Sequence, residues 1–422
     1  MSFTTGESRW SDVWISATAR GTTICGEFLA ATALALALQG AGAGGLAVAG
    51  LLLAATLPLV ALAPLTGRLV DRYDSRTLLV TAGALQSAVC LLLAYAGHPV
   101  LVVTLVALLA CGLAVTQPCL AALLPTMVRR ADLPRASAIQ QTAVSVGALG
   151  GPVLAGLLVG QFGTRVPLLL DAASYLALVA AGLLLRTRRG GRRTVAATVT
   201  AAGAAPAWRL RRDPLMLAMV VITATVITAI GGINVIEVFF IRETLDSSTT
   251  MYGLVGAAWM AGMLPGSWLA ARLAGRLTAD GALVHGVLTT LGGCALMVVC
   301  AAFVPTAGYL VPLWLIGGAA NGGDNVFANV LTARRVPEAA RGRAYAVNGA
   351  AVQGGSMAGR LIGGALLAVL PPRPVIAGLG VAGLLVVALF VPVVARAVRR
   401  SGPAAAPDDP PGAELATPTA AR

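Results

Sequence analysis

Twelve apolar segments, each about long enough to cross a bilayer, follow one another along the chain with mostly short connections between them. A transmembrane helix needs about 20 apolar residues, and the lipid interior admits only elements that satisfy their own backbone hydrogen bonds. Of the 422 residues, 57% are hydrophobic and only 11% are charged, a composition far from that of a soluble domain. The sequence therefore predicts an all-α membrane protein.

The segments arrange themselves as two sets of six. We expect helices over residues 13–38, 45–66, 77–97, 100–127, 136–160, 166–186, 214–241, 252–274, 281–304, 308–332, 345–370 and 374–396. Residues 1–12 form a polar N-terminus, 13–186 a first six-helix bundle and 214–396 a second. The Arg- and Gly-rich residues 187–213 are predicted to be a flexible cytoplasmic linker. The Pro- and Ala-rich residues 397–422 are predicted to be a disordered cytoplasmic tail.

The basic residues predict an orientation. All 30 are arginine, and 25 of them lie in the termini and in the connections on one side of the predicted helices. Basic residues concentrate on the cytoplasmic side of membrane proteins. Both termini are therefore predicted to be cytoplasmic, in a protein of the plasma membrane. The same distribution explains the net charge of +13 without a nucleic-acid partner.

The two sets of helices share sequence features at an offset of 208 residues. The repeated positions are Gly67-Arg68-Leu69 with Gly275-Arg276-Leu277, Arg135-Ala136 with Arg343-Ala344, and Gly147, Gly151 and Gly156 with Gly355, Gly359 and Gly364. Because each half has an even number of helices, both halves enter the membrane from the same side. This predicts a parallel duplication about an axis along the membrane normal.

A cluster of charges lies between the second and third predicted helices, where a short wet turn is expected. Its pattern, Gly67-x-Leu69-x-Asp71-Arg72-x-x-x-Arg76, resembles the loop signature of the major facilitator superfamily. The resemblance implies the twelve-helix fold of that superfamily and a conformational charge lock in which Asp71 is the acid and Arg72 and Arg76 are basic members. Charges that serve only to set the topology are the alternative.

The second copy of this cluster is less complete. Asp280 comes one residue late relative to Asp71 in the 208-residue repeat. We therefore expect the charge lock to be stronger in the first half than in the second.

A second motif lies in the fifth predicted helix. The pattern Gly147-x-x-x-Gly151-Pro152-x-x-Ala155-Gly156 is similar to the antiporter motif of the superfamily, with Ala155 in place of one glycine. Glycines four residues apart allow close helix approach, and proline removes a backbone hydrogen bond. The resemblance implies proton-driven export, and ordinary packing of small residues is the alternative.

Over most of residues 11–396 the chain resembles the drug:proton antiporters of the macrolide-efflux type. The resemblance rests on the run from Pro118 to Pro152 and on the Arg334–Arg343 segment. The fourth predicted helix has no basic residue, whereas many drug antiporters carry an arginine there. A proton relay in this chain would therefore use other residues.

Ionisable residues within membrane helices are costly and are candidates for function. In the superfamily, helices 1, 4, 7 and 10 line the central cavity. The resemblance thus implies a proton-coupling and substrate cavity that contains Glu27, Gln117, Asn234, Glu237, Asn321, Asp324 and Asn325. The spacing of Asn321, Asp324 and Asn325 predicts one shared helix face.

Glu27 and Asp324 are the predicted proton carriers, because a carboxyl group removed from water favours its neutral form. Arg360 also lies within a predicted helix, near mid-membrane, and is a further candidate residue of the proton-coupling and substrate cavity. The alternative for Asp324 is a structural ion pair with Arg360. Asp171 is predicted to be a helix-end residue that is hydrogen-bonded to its neighbours.

These features predict a transporter that exports a hydrophobic or amphipathic small molecule, such as a drug or natural product, in exchange for protons by alternating access. We expect no enzymatic activity, catalytic residue, metal site or cofactor, since the proton gradient supplies the energy; without lysine the chain has no Walker A motif. The expected partners are the small molecule, protons and the lipid bilayer, and the protein is expected to be a monomer. Two alternatives are proton-coupled uptake of a small nutrient, and a polytopic receptor or enzyme that transports nothing.

Overall fold

The computed structural model describes residues 8–129, 132–187, 210 and 213–400. Within these ranges the chain forms thirteen α-helices: α1 Trp10–Gly40, α2 Gly45–Arg72, α3 Ser75–Ala94, α4 Pro99–Met127, α5 Leu133–Phe162, α6 Arg165–Leu184, α7 Pro214–Ile230, α8 Ile233–Phe239, α9 Thr249–Arg276, α10 Asp280–Ala301, α11 Leu310–Arg335, α12 Glu338–Leu366 and α13 Pro372–Arg400. Because α7 and α8 follow one another along one crossing, the predicted twelve-helix fold is confirmed. The first seven residues, most of the predicted linker and most of the predicted tail lie outside the described residues.

The seventh crossing differs from its prediction as one helix over residues 214–241. It is interrupted at Gly231 and Gly232, and after α8 it ends in a π-helical turn, Phe240–Thr244. The interruption lies against α12, where a Cβ added to Gly232 would come within 3.0 Å of the Cα of Gly363. Glycine is permissive of such breaks, and here it also allows two backbones to approach closely.

The charged stretch Gly67–Arg76 is also more helical than predicted. Helix α2 continues through Arg72, and α3 begins at Ser75 with Asp74 as its N-cap. The hydrated turn between α2 and α3 therefore has only two residues, Tyr73 and Asp74. Most of the charged motif forms the end of α2, beyond the predicted bilayer crossing.

Ten helical segments in the described part of the chain are long and apolar enough to cross a membrane. The two remaining crossings, α11 and α12, are 26 and 29 residues long but carry asparagine, glycine and charged side chains along their length. Helices that line a polar cavity do not need a wholly apolar surface, and this accounts for their composition.

The helices form two bundles, α1–α6 (the first half) and α7–α13 (the second half). In the first half, α1 packs on α5 and α6, α3 on α4 and α6, and α2 on α4. In the second half, α9 packs on α11, α10 on α11 and α13, and α7 on α12 and α13. The main contacts between the halves are those of α5 with α9 and of α2 with α12.

We call the end of the molecule that holds Ser8 and Arg400 the proximal end and the opposite end the distal end. Near the proximal end, each half has its own cluster of buried apolar side chains. Near the distal end, one cluster joins the halves, because Val235, Val238 and Phe239 of α8 pack with residues of α1 to α4. The halves are therefore closed against each other distally.

The repeated glycines explain how α5 and α12 pack within their own halves. A Cβ on Gly147 would lie 2.3 Å from the carbonyl oxygen of Gly21 in α1. At the equivalent position, a Cβ on Gly355 would lie 2.6 Å from the carbonyl oxygen of Ala224 in α7. One turn further along, Gly151 and Gly359 make the same kind of contact with α1 and α7. The internal repeat thus preserves a backbone-to-backbone contact that no larger residue allows.

The third repeated glycine of each half closes the distal end. A Cβ on Gly156 of α5 would lie 2.6 Å from the carbonyl oxygen of Thr249 in α9, and the Thr249 hydroxyl donates a 2.9 Å hydrogen bond to the Gly156 carbonyl. A Cβ on Gly364 of α12 would lie 2.8 Å from the carbonyl oxygen of Gly45 in α2. We call these two contacts the distal gate.

An ion-pair network at the proximal end ties three helices of the second half together. Arg335, at the end of α11, contacts Asp213 and Asp280, each at 3.0 Å. Asp213 also caps α7 by accepting hydrogen bonds from the backbone N–H groups of Leu215 and Met216. Asp280 therefore has a basic partner in its own half, and the expected difference in strength between the two charge locks stays a prediction.

The distal gate predicts a steric effect of Gly364→Val. The added side chain collides with the α2 backbone, and overpacking of this kind costs at least about 1 kcal/mol, which shifts a two-state equilibrium about fivefold or more. Cysteines placed at positions 39 and 243, whose native side chains share a 3.0 Å hydrogen bond across the halves, should cross-link less readily in the variant. Gly354→Val is the matched control, because nothing lies within 4 Å of a Cβ there. Equal cross-linking in both variants would contradict the assignment of the gate.

The proximal network predicts that Arg335→Gln destabilises the second half. Because the ion pairs are partly exposed, we expect a loss of about 1–2 kcal/mol, read as a lower melting temperature of the detergent-solubilised protein. Asp280→Asn combined with Arg335→Gln should cost less than the sum of the single changes, since the residues share one network. Arg396→Gln is the control, because within the described part of the chain the Arg396 side chain donates only to the Pro392 carbonyl of its own helix. Additive losses would show that the pairs act independently.

Candidate functional site

In the first half, Glu27 lies at the middle of α1 and is half-buried. It lines a cavity of ≈ 10 Å³, about the space of one water molecule. The other polar lining residues are Arg20, Thr23, Thr116, Gln117 and Tyr175. The structure thus brings together Glu27 and Gln117, two residues that the sequence predicted for one cavity, and adds a basic neighbour, Arg20.

Asp171 is a buried carboxyl group of α6, the helix that packs on α1. The Ser174 hydroxyl donates to its Oδ1 at 3.1 Å, and the Cys90 thiol donates to its Oδ2 at 3.3 Å. Oδ1 also lies against α1, since a Cβ on Gly26 would come within 2.3 Å of it. The predicted hydrogen bonding of Asp171 is confirmed, but the predicted position at a helix end is wrong: Asp171 lies six residues after the start of α6 and is only 1% exposed.

Sequence reasoning missed that Asp171 and Glu27 belong to one polar region. Asp171 contacts the residue that precedes Glu27, and its two hydrogen-bond donors are neutral. The available signal was Gly26, a glycine beside an acidic residue in an apolar helix, which leaves room for a side chain from a neighbouring helix. The first half thus holds two carboxyl groups at its centre.

In the second half, Asn321 and Asn325 lie on one face of α11. The Asn325 amide donates a 2.9 Å hydrogen bond to the Asn321 carbonyl, and Asn325 is exposed. Exposed amides at mid-depth in a membrane helix face a polar cavity rather than lipid. Asn234, in α8, is also exposed, and its amide donates to the Gly231 carbonyl where the seventh crossing is interrupted.

Asp324 is more deeply buried than Asn321 and Asn325. It is 5% exposed, lies near Cys294 of α10, and its Oδ1 has no hydrogen-bond partner. The predicted common face therefore holds only in part, because Asp324 lies at its buried edge beside α10 whereas Asn321 is half-buried and Asn325 is exposed. The alternative of an ion pair between Asp324 and Arg360 is wrong, since Arg360 contacts α2 instead.

Glu237 belongs to the distal packing of the second half. It is half-buried in α8, where its carboxyl group interacts with the Trp314 side chain and lies near Tyr252. Its Oε1 is buried without a hydrogen-bond partner. The structure therefore sets Glu237 apart from the asparagine face of α11.

Arg360 lies in the distal part of α12, four residues before Gly364 of the distal gate. Its Nη1 donates to the Leu52 carbonyl at 3.4 Å and to the Thr56 hydroxyl at 3.3 Å. Both acceptors are in α2, so the guanidinium bridges the two halves. This places Arg360 nearer the distal end than the mid-membrane position expected from sequence.

The structure describes the glycine motif of α5 fully and the charge lock only in part. Gly147, Gly151 and Gly156 form the helix contacts described above, and the Pro152 carbonyl lies against Gly253 of α9. In the charge lock, Arg72 is exposed and Arg76 is half-buried. The surroundings of Gly67 and of the Asp71 side chain lie outside the described part of the structure, so the lock stays a prediction.

The described residues contain no group of three or more His, Cys, Asp or Glu side chains that could hold a metal ion.

Comparison with solved structures shows the same fold in several transporters. The chain aligns with a mutant of the nucleoside transporter NupG at 13% identity and a TM-score of 0.72, covering 91% of this chain and 99% of that one. A bacterial homologue of the human lysosomal transporter Spinster, inward-facing and unoccupied, aligns at 15% identity and a TM-score of 0.70, covering 93% and 97%. The peptide transporter POT in complex with sulfate aligns at 14% identity and a TM-score of 0.71, covering 94% and 96%.

Comparison with the curated protein sequences gave no significant match. A family profile of the major facilitator type, described as "Transmembrane secretion effector", matches residues 7–410. This match covers nearly the whole chain and agrees with the helix order, the two bundles and the polar residues between them. The protein is therefore a multi-pass membrane protein of the transporter class and belongs to the transmembrane secretion effector family of the major facilitator superfamily.

Proposed function

We propose that the protein exports a hydrophobic or amphipathic small molecule in exchange for protons. Two observations together support the proposal. The two bundles are closed against each other at the distal end, and the amides of Asn325 and Asn234 are nevertheless exposed at mid-depth. A transporter of this fold works by rocking its halves about a central site. In such a movement, the contacts of the distal gate form in the state that is closed at the distal end and break when that end opens.

The orientation of the protein in the membrane and the direction of transport are supported by different observations. The proximal end carries most of the arginines of the chain, which favours a cytoplasmic location for that end. The structure would then be open towards the cytoplasm and ready to take up an intracellular molecule. Export is supported by the family description as secretion effectors and by the glycine motif of α5.

Glu27 is the first proposed proton carrier, and Asp171 is a second carboxyl group in the same region. Asp171 receives hydrogen bonds from neutral donors, and a buried carboxylate without a cation is costly in a low-dielectric interior. Binding a proton removes that cost for Asp171. For Glu27, either a bound proton or movement of Arg20 towards its carboxylate would remove the corresponding cost. Asp324, with its unpartnered Oδ1, is the corresponding carrier in the second half.

The most direct experiment is transport of a panel of hydrophobic dyes and antibiotics into everted membrane vesicles with an acidic lumen. We expect accumulation in the lumen that a protonophore abolishes. Accumulation that the protonophore leaves unchanged would contradict proton coupling. Movement of substrate out of the lumen would instead indicate uptake into cells.

The proposed carriers predict the effect of Glu27→Gln. The amide cannot exchange a proton, so we expect pH-driven dye accumulation to fall at least about tenfold, within the usual contribution of a proton-transfer group. Dye exchange without a pH gradient should persist, because the substrate cavity is otherwise unchanged. The measurement is the initial rate of each process in the same vesicles.

Asp246→Asn is the matched control for this substitution. Asp246 is exposed in the distal loop and has a positive φ of 45°, a conformation that asparagine also tolerates. We expect wild-type accumulation from this control. Full pH-driven accumulation in both Glu27→Gln and Asp324→Asn would contradict the carboxyl mechanism.

A further inference from the structure

Arg360 is a charged side chain within the distal part of the membrane region that faces the opposite half. It is half-buried, and its guanidinium crosses from α12 to the turn of α2 that holds Leu52 and Thr56. Because Arg360 precedes Gly364 by one helical turn, it lies just inside the distal gate. The guanidinium thus sits at the closed end of the space between the halves.

The charge of Arg360 has only neutral contacts among the described residues. Its two acceptors are a carbonyl and a hydroxyl, its Nε is buried without an acceptor, and no described carboxylate pairs with it. Arg20, the other arginine within a predicted helix, differs because Glu27 is close enough to interact with it. An unpaired guanidinium in this environment is costly, and such residues in membrane helices usually serve a ligand or a pathway.

The residues on the same face of α12 extend this feature towards the proximal end. Gln353 and Met357 precede Arg360 by seven and three residues, so they share its helix face, and both are half-buried. The row offers an amide, a flexible thioether that adapts to apolar shapes, and a guanidinium. A guanidinium binds carboxylate, sulfonate or phosphate oxygens with paired hydrogen bonds.

We propose that Arg360 binds the anionic group of an amphipathic substrate whose apolar body lies along α12. This inference rests on the proposed export function and names the substrate class. The contacts of Arg360 with α2 are contacts between the halves, so an anion that engages the guanidinium competes with Leu52 and Thr56. Substrate binding would thereby break the contact of Arg360 with α2 at the closed distal end. Binding of substrate is in this way coupled to opening of the distal gate.

The test uses two dyes that share one aromatic skeleton. 8-Anilinonaphthalene-1-sulfonate is anionic, and N-phenyl-1-naphthylamine lacks the sulfonate. Initial rates of pH-driven transport are measured in proteoliposomes of phosphatidylcholine alone, so that anionic lipid headgroups do not contribute. We expect the wild type to transport the sulfonate dye, and Arg360→Gln to lower that rate at least about tenfold while changing the rate of the neutral dye less than about twofold.

Three further variants separate binding from structure. Arg360→Lys should keep an intermediate rate for the sulfonate dye, because a lysine retains the charge without the paired geometry. Thr56→Val removes a competing acceptor and should leave the rate for the sulfonate dye equal to or above that of the wild type. Arg373→Gln, which alters a distal arginine that donates to the Ala302 and Val304 carbonyls, should leave the ratio of the two rates unchanged.

Three results would overturn the inference: no transport of the sulfonate dye by the wild type, equal losses for both dyes in Arg360→Gln, or a preference for the sulfonate dye that appears only when anionic lipid is added. The first two leave export of a neutral amphipath intact. Transport of the neutral dye that does not respond to a protonophore would instead contradict the proposed proton coupling, whatever the effect of Arg360.

Discussion

Close contact between backbones at repeated glycines is the constraint on which the rest of the structure depends. Gly147 and Gly355 bring α5 and α12 against the first helix of their own half, while Gly156 and Gly364 bring the same helices against the opposite half. In lipid, helices associate through packing rather than through the hydrophobic effect, so small residues at contacts dominate. One pair of helices therefore both builds each bundle and closes the distal end.

Because α5 and α12 make these contacts, the polar groups can lie elsewhere, on the faces between the halves. Distal closure leaves the mid-depth faces of α1, α4 and α11 free to present Glu27, Gln117 and the asparagine pair, which would be costly against lipid. Between the halves, Arg360 donates to neutral acceptors of α2, and the neutral Gln39 amide donates to Glu243, so neither contact is an ion pair. The Arg360 contacts, at 3.4 and 3.3 Å, are longer than the 3.0 Å ion pairs of Arg335, and long contacts of this kind suit a gate that must open. The stronger ion pairs of Arg335 stay within one half, where nothing needs to separate.

Helix number and order could be predicted from sequence because apolar length dominates in membranes, and the repeat identified the glycines that make the key contacts. The interruption at Gly231-Gly232 was missed because both flanks are apolar and helical. The orientation of Asp324 was missed because helical spacing gives relative directions but not which direction faces the cavity. The proximity of Asp171 to Glu27 depends on packing between distant helices, for which Gly26 was only an indirect signal.

Alternating access requires that the distal gate opens as the proximal end closes. Its most direct measurement is a pair of spin-label distances in a cysteine-free background, one between positions 161 and 306 at the distal end and one between positions 73 and 278 at the proximal end. When substrate and a lower luminal pH are applied to reconstituted protein, the distal distance should lengthen while the proximal distance shortens. Distances that stay fixed, or that change in the same direction, would contradict alternating access by these two bundles.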